Sequence, residues 1–483
     1  MAKQPNIVMA MADDMGYWAM GCAGNRDIRT PNLDQLAREG MYFPDYFCTS
    51  PVCSPARASV LCGKMPSQHG VHDWISRGHI NYEEVSPALR KMHQDPNASW
   101  EYVWSREQLA GDKAIRYLEG FRTYTDILAE HGYVCGLAGK WHLGDAGQPQ
   151  KGFSYWEPIA MGGDNYYYPV VYRDGHFDML RDTYITNHIT GKALDFLAQR
   201  EKDRPFYLSV HYTAPHAPWE RNQHPEEYYA LYEDCAFTGT PDVPHHKWGA
   251  PYTREERRNR LQGYYAAVTA MDSDIGRLVG FLKAEGLWED TIFIFTADNG
   301  MSMGHHGIFG KGNGTFPLNL YDTAVKVPMI ISYPGGIRGG TVAKGLYSHY
   351  DLLPTIAGLV GELPDSGCPG RSFGGIFRGE VPDGRDAVVV YDEYGPARMI
   401  RTTEYKYIQR YLYGEDEFYD LKADPGEEVN LADFREPGVQ ERIAALRSRM
   451  EQWFDRYSDP ERDGKNQAVY GLGQSGPKAF VGR

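Results

Sequence analysis

Asn6-Ile7-Val8-Met9-Ala10-Met11-Ala12-Asp13-Asp14 is the stretch whose reading decides the fold. From Ile7 to Ala12 apolar side chains follow one another without alternation, the pattern of a strand buried on both faces, and the run stops on two adjacent carboxylates. Working outward, helical periodicity at Asn32–Glu39, Thr123–Glu130 and Tyr184–Gln199 alternates with strand-like runs at Tyr133–Gly139 and Pro205–His211. Leu261, Tyr264, Val268, Met271, Ile275, Leu278 and Leu282 recur at helical spacing ahead of another buried run, Thr291–Thr296. The alternation predicts an α/β fold with a large, mainly parallel central sheet flanked by helices. Ligands of such sheets gather at the carboxyl ends of the strands, where Asp13-Asp14 and Asp298-Asn299 both fall.

Past Pro382-Asp383-Gly384 the texture changes to short strands at Ala387–Tyr391, Arg398–Thr402, Tyr405–Arg410 and Glu417–Leu421, closed by a helix at Val439–Tyr457. This predicts a smaller antiparallel sheet with one covering helix, and a division into residues 1–380 and 381–483. The Gly-rich tail after Asp463 reads as loose. The stretch Asn81–Arg122, polar and bearing Trp and Tyr, is longer than an ordinary connection and reads as an insertion that shapes a substrate site.

Of the 483 residues, 42% are hydrophobic and 24% charged, the balance of a soluble globular enzyme. A net charge of −14 without a basic stripe argues against nucleic acid as a partner. No run reaches the roughly 18 apolar residues of a membrane span. Seven scattered cysteines without paired metal-ligand spacing read as neither a disulfide framework nor a zinc site. As written the chain is expected in the cytoplasm, or in the periplasm or outside the cell if a signal peptide has been removed.

Cys53-Ser54-Pro55-Ala56-Arg57 carries the chemistry. Proline suits the first turn of a helix, so the following residues run helically away from Cys53 and aim backbone amides at it. Such a terminus favours negative charge, and Arg57 adds a fork that matches tetrahedral oxyanions. A lone Cys-x-Pro-x-Arg would more often be an inert buried cysteine. Continued through Ala58-Ser59-Val60-Leu61-Cys62-Gly63, however, the segment resembles the signature of the sulfatase family, in the alkaline-phosphatase-like superfamily, with Ala56 and Cys62 as its departures from the commonest pattern. The resemblance implies that a maturation enzyme oxidises Cys53 to formylglycine, whose hydrate attacks the sulfur of a sulfate ester and then expels sulfate by way of its second hydroxyl.

The same resemblance assigns a metal to Asp13, Asp14, Asp298 and Asn299, with position 53 as a further ligand. Hard oxygen donors suit calcium, with magnesium as the alternative. Gly139-Lys140-Trp141-His142-Leu143-Gly144 matches a second family motif, in which Lys140 binds sulfate and His142 is the base for sulfate release. Residues two apart share a face of extended chain, so Lys140 and His142 are expected in one cleft with Trp141 packed away. His216, in the proline-stiffened Tyr212–Trp219 loop, is implied as sulfate ligand and acid to the leaving oxygen, while the place of His211 within the Pro205–His211 strand favours a core role for it. Gly307–Gly314 presents Lys311 as a second sulfate-binding lysine, with His306 beside it. The clusters His72-Asp73-Trp74 and Asp164-Asn165-Tyr166 combine hydrogen-bonding and stacking groups and are expected to bind the rest of the substrate, a carbohydrate sulfate. The alternatives are an aryl or alkyl sulfate, a phosphonate monoester or phosphodiester, or a silent anion-binding relative.

Overall fold

The computed structural model describes residues 4–95, 104–469 and 471–477. The Asn6–Ala12 strand lies at the heart of a ten-stranded sheet, every residue of it buried. Phe206–His211 pairs in parallel on one side (Ile7 opposite Tyr207) and Thr291–Ala297 on the other (Ile7 opposite Ile292). Val134–Lys140 and Phe153–Ile159 extend the parallel block. Because both neighbours are strands and both faces are covered by helices, no position on the central strand meets water, which is why the sequence shows no alternation.

The sheet departs from parallel at its margins. Met329–Ser332 runs antiparallel to Thr291–Ala297, and Val170–Arg173 and His176–Met179 form an antiparallel hairpin at the far edge. These strands are short, and most lack the long buried run that made the central ones legible.

The longest helix, Arg254–Ala284, starts on Thr253, whose hydroxyl accepts from the Glu256 amide while Glu256 returns a bond to the Thr253 amide. Its buried stripe includes Leu261, Tyr264, Val268, Met271, Ile275, Leu278 and Leu282, all of them inaccessible to solvent.

The four-stranded antiparallel sheet, Ala387–Tyr391, Ala397–Thr402, Tyr405–Arg410 and Glu417–Asp420, is covered by the Pro437–Tyr457 helix. It joins the large sheet's layer through buried charge. Asp322 accepts from Arg401 and from Lys406 Nζ (3.0 Å), and Lys406 also meets Glu427 at 2.6 Å. Lys406 has no exposed surface, so removing it would strand two carboxylates in the interior.

The tail is not loose over the residues described. Gln474 is fully buried: its Oε1 accepts from the His72 amide (2.8 Å) and its Nε2 donates to the Gly70 carbonyl (3.0 Å). One glutamine side chain thus satisfies loop backbone that lacks a ladder partner, and holds the tail against His72–Trp74.

Candidate active site

Four parallel strand ends converge at one point. Asp13 and Asp14 follow the central strand, Asp298 and Asn299 follow Thr291–Ala297, Lys140 ends Val134–Lys140, and His216 lies in the loop after Phe206–His211. Asp13, Asp14 and Asp298 offer carboxylate oxygens within 4.8 Å of one another. Asp298 is fully committed: Oδ1 accepts from the amides of Asp14 (3.1 Å) and Asn299 (2.8 Å), and Oδ2 from Arg57 Nε (2.8 Å). Asp13 Oδ2 takes Lys140 Nζ at 2.6 Å, and Asp14 Oδ1 takes Lys311 Nζ at 2.6 Å and Asn299 Nδ2 at 2.8 Å. Among the described residues, two oxygens of this buried cluster have no hydrogen-bond donor, Asp13 Oδ1 and Asn299 Oδ1. Three carboxylates and an amide oxygen in a dry site fit a hard divalent cation.

The charges tune one another. Burial raises the Asp13 pKa well above the ordinary carboxyl value, more than Lys140 lowers it. Burial also opposes ionisation of Asp14, but Lys311 and then His216 hold it below that value. Burial likewise opposes ionisation of Asp298, yet Arg57, Lys140 and Lys311 hold it far down.

Cys53 opens the wholly buried helix Cys53–Cys62 and is itself 2% exposed. Ser54 Oγ accepts from the Ile75 amide (3.1 Å), and the Ile75 carbonyl faces His142 Nε2 at 2.9 Å. A carbonyl only accepts, so Nε2 carries the proton and Nδ1, which has no protein partner, presents a lone pair. Burial, then Lys140, keeps this imidazole well below its usual pKa, hence neutral. Trp141 packs away against Phe153 and Trp156. His142 reaches the cleft by a left-handed turn at φ 54°, not by continuing the strand.

His216 Nδ1 donates to the Ala217 carbonyl (2.7 Å), leaving Nε2 facing Asp14 Oδ2 at 3.5 Å. Burial pushes its pKa down to about 4. His211 stays in its strand with Nδ1 on the Lys140 carbonyl (3.1 Å), the core role read for it. Gly312 packs on Pro51, where a β-carbon would lie 2.4 Å from the proline ring, so the Lys311 loop docks beside the start of the Cys53 helix.

Above this floor lies a cavity of about 570 Å³ lined by Cys53, His142, His216 and Lys311 below, with Trp74, Trp104, Gln108, Asp164, Asn165 and Asn313 among its walls. Trp104 and Gln108 come from the Asn81–Arg122 insertion, of which residues 96–103 lie outside the described residues.

Trp74, Asp164 and Asn165 therefore line the cavity, although both Asp164 oxygens accept from backbone, the Asn165 and Val170 amides at 2.8 Å each. His72, Asp73 and His306 do not line it. His72 is buried between Tyr391 and Tyr394 and bonds the Tyr391 hydroxyl, joining the small sheet to the loop before Trp74. His306, at φ 54°, turns away and stacks on Tyr321 at 3.8 Å. Asp73 is buried with Glu393, a residue the sequence reading missed. Burial, then Glu393, raises the Asp73 pKa well above its ordinary value, and burial raises Glu393 to about 7, so near neutral pH the pair retains a proton.

Gly162 and Gly163 were also missed. A β-carbon on Gly162 would lie 2.0 Å from the His142 ring, and one on Gly163 3.0 Å from the His216 ring. Gly162→Ala is expected to push His142 off the Ile75 carbonyl and slow any turnover at this site by about a hundredfold, the scale contributed by a positioned imidazole, with thermal stability close to wild type. Steady-state kinetics beside a melting curve checks this, and wild-type kcat would show that the imidazole is not needed where it sits.

A sulfatase family model matches residues 5–362. The chain belongs to the sulfatase family. It is a hydrolase of sulfate esters. A second model, the N-sulphoglucosamine sulphohydrolase C-terminal region, matches residues 304–456 of this sulfatase. The chain is 27% identical to an N-acetylglucosamine-6-O-sulfatase of Bacteroides thetaiotaomicron, over 97% of this chain and 89% of that one. It is 29% identical to an ulvan-active sulfatase of Formosa agariphila, over 89% and 77%. A solved structure in complex with its substrate, D-glucosamine-2-N,6-O-disulfate, shares the fold with a TM-score of 0.75 and 24% identity, covering 96% of this sulfatase and 100% of that chain.

Proposed function

We propose that this sulfatase removes sulfate from a carbohydrate, using a formylglycine made from Cys53 and one divalent cation. The observation that carries the carbohydrate reading is the cavity wall: two indoles, Trp74 and Trp104, with three carboxamides, Gln108, Asn165 and Asn313, above the catalytic floor. Indoles cover the apolar faces of a sugar ring and carboxamides bond its hydroxyls in either sense. Similarity to sulfatases named for N-acetylglucosamine and ulvan supports the same reading.

Asp13, Asp14, Asp298 and Asn299 would hold the cation, calcium by preference, and when bound it supplies Lewis-acid polarisation and acidifies the nucleophile. Formylglycine supplies two hydroxyls on one carbon, one to attack and one to release. At 2% exposure within a packed helix, Cys53 is out of reach of another enzyme, so a maturation enzyme would act before the chain folds.

The remaining work belongs to the chain's own side chains. Lys311, on the cavity floor, meets the sulfate's negative charge, while Arg57 and Lys140 keep the carboxylate cluster from repelling it. His142, neutral with a bare Nδ1, takes a proton from a hydroxyl at position 53. His216 must carry a proton on Nε2 to serve as acid, and a bound anionic ester beside Asp14 raises its proton affinity in the complex.

Defined sulfated monosaccharides should be turned over with higher kcat/KM than an activated aryl sulfate. His216→Ala should lower kcat/KM on the sugar ester by about a hundredfold and on the aryl ester much less, since a phenolate leaves without a proton. Sulfate release measured by ion chromatography checks both. Exclusive turnover of aryl sulfates, or faster cleavage of phosphonate monoesters, would overturn the carbohydrate reading.

A further inference from the structure

A second cavity, of about 410 Å³, lies between the Pro437–Tyr457 helix and the four-stranded sheet and shares no lining residue with the catalytic cavity. Arg371, Arg385, Arg449 and Arg456 line it together with Trp453, and among the described residues Asp386 is its only lining carboxylate. In a chain of net charge −14, four guanidinium groups in one pocket are a local reversal of sign.

The four arginines are not equivalent. Arg385 is committed, with Nε on Asp351 Oδ2 at 3.1 Å, a further bond to the Pro369 carbonyl and its plane over Tyr350. It serves as structural support. Arg449 meets Asp386 at 2.7 Å, but both side chains are largely exposed, and such a pair gives up its carboxylate to a competing anion at little cost. Arg371 and Arg456 are exposed and have no carboxylate within ion-pair distance among the described residues. The Arg371 backbone is anchored where its amide donates to Asp351 Oδ1 at 2.7 Å, and the Arg456 side chain rests at its guanidinium 5.1 Å from the Tyr457 ring centroid. Val389 and Ile400 of the small sheet form a buried floor, and Trp453 is half-buried beside them.

Unpaired guanidinium forks recognise a planar or tetrahedral oxyanion, and an indole beside them suits the apolar face of a sugar. From this we propose that the pocket is a non-catalytic subsite for a sulfate-bearing sugar, holding a remote part of a sulfated glycan. The proposal rests on the carbohydrate reading above for the identity of its occupant, but not for the existence of the site.

The test measures binding of dextran sulfate to the full-length protein by affinity electrophoresis, with unsulfated dextran and polygalacturonate as comparison polymers. Arg371→Glu with Arg456→Glu should weaken dextran sulfate binding about tenfold or more and leave activity on a small aryl sulfate unchanged. Arg26→Glu with Arg338→Glu, an equal charge change at exposed positions outside the pocket, should weaken it far less. Equal loss in both double variants would reduce the effect to general electrostatics and overturn the site. Unchanged binding in the pocket variant would overturn it as well. Polygalacturonate binding as tightly, with the same sensitivity, would replace sulfate by carboxylate as the ligand and overturn the assignment. Loss of dextran sulfate binding in a protein that hydrolyses only aryl esters would leave the subsite standing while the carbohydrate reading falls.

Discussion

Asp298→Ala is expected to abolish measurable turnover and to strip the bound cation. Its carboxylate ties the amides of Asp14 and Asn299 and the guanidinium of Arg57 to one point. Its loss removes one of three clustered carboxylates and leaves Arg57, 2% exposed, with the Lys140 carbonyl as its nearest remaining hydrogen-bond partner. Breaking a buried pair from one side typically costs about 3–5 kcal/mol, so the melting temperature should also fall. Asp298→Asn lets its amide oxygen keep the two backbone bonds, but its NH2 then faces Arg57 Nε, donor against donor, so this variant also loses the buried pair and should melt below wild type and above Asp298→Ala. That variant should stay folded, lose the cation in elemental analysis and remain inactive. Full activity of either variant would remove the metal assignment.

The same cluster sets a pH dependence. Asp13 has its carboxyl raised in the folded protein, chiefly by burial. A raised group contributes stability that is complete below its unfolded pKa and is lost as pH rises through the folded one. The proposed cation would replace the proton, so chelation should lower the melting temperature, and lower it more at pH 8 than at pH 5. Asp298 has the opposite sign: held far below its unfolded value, it contributes stability above that value and loses it only in strong acid.

Much of this site was legible in the sequence because its residues sit where strands stop. A buried strand is an unbroken apolar run, and carboxylates that interrupt it, Asp13-Asp14 and Asp298-Asn299, mark its carboxyl end without any knowledge of pairing. Of the two residues expected in one cleft, His142 lines the cavity through a left-handed turn that alternation does not foresee, whereas Lys140 ends its strand buried on Asp13 and does not line the cavity. Proximity in the chain misled at His306, which is near Lys311 in sequence but is rotated onto Tyr321 by its own backbone. His72 sits near Trp74 yet packs on Tyr391 of the small sheet, and Asp73 is buried beside Glu393, because Tyr391, Glu393 and Gln474 approach from the far end of the chain. The glycines at 162 and 163 carry no chemistry of their own. Their requirement is the space taken by two imidazoles, and only the folded chain contains that space.

Cys53→Ser is expected to turn an enzyme with many turnovers into one that reacts at most once. The substituted side chain keeps one oxygen nucleophile at the head of the Cys53–Cys62 helix, beside Lys311 and His142. It lacks the second hydroxyl on the same carbon. After attack on sulfur the ester would have no internal group to expel it, and release would depend on water entering a site built to seat sulfate. The protein should therefore gain the mass of one sulfuryl group on the peptide spanning position 53, with catalytic rate at background. Cys53→Ala, with no oxygen at all, should gain no mass and also be inactive. In the active protein made with a maturation enzyme, the same peptide should carry the aldehyde or its hydrate in place of the thiol. An active preparation in which every chain retains the thiol would sink the formylglycine assignment, because a thiol offers one nucleophilic atom and no second proton-bearing oxygen for His142 to deprotonate. Sustained turnover by Cys53→Ser would do the same by another route, since it would show that hydrolysis here needs no geminal pair.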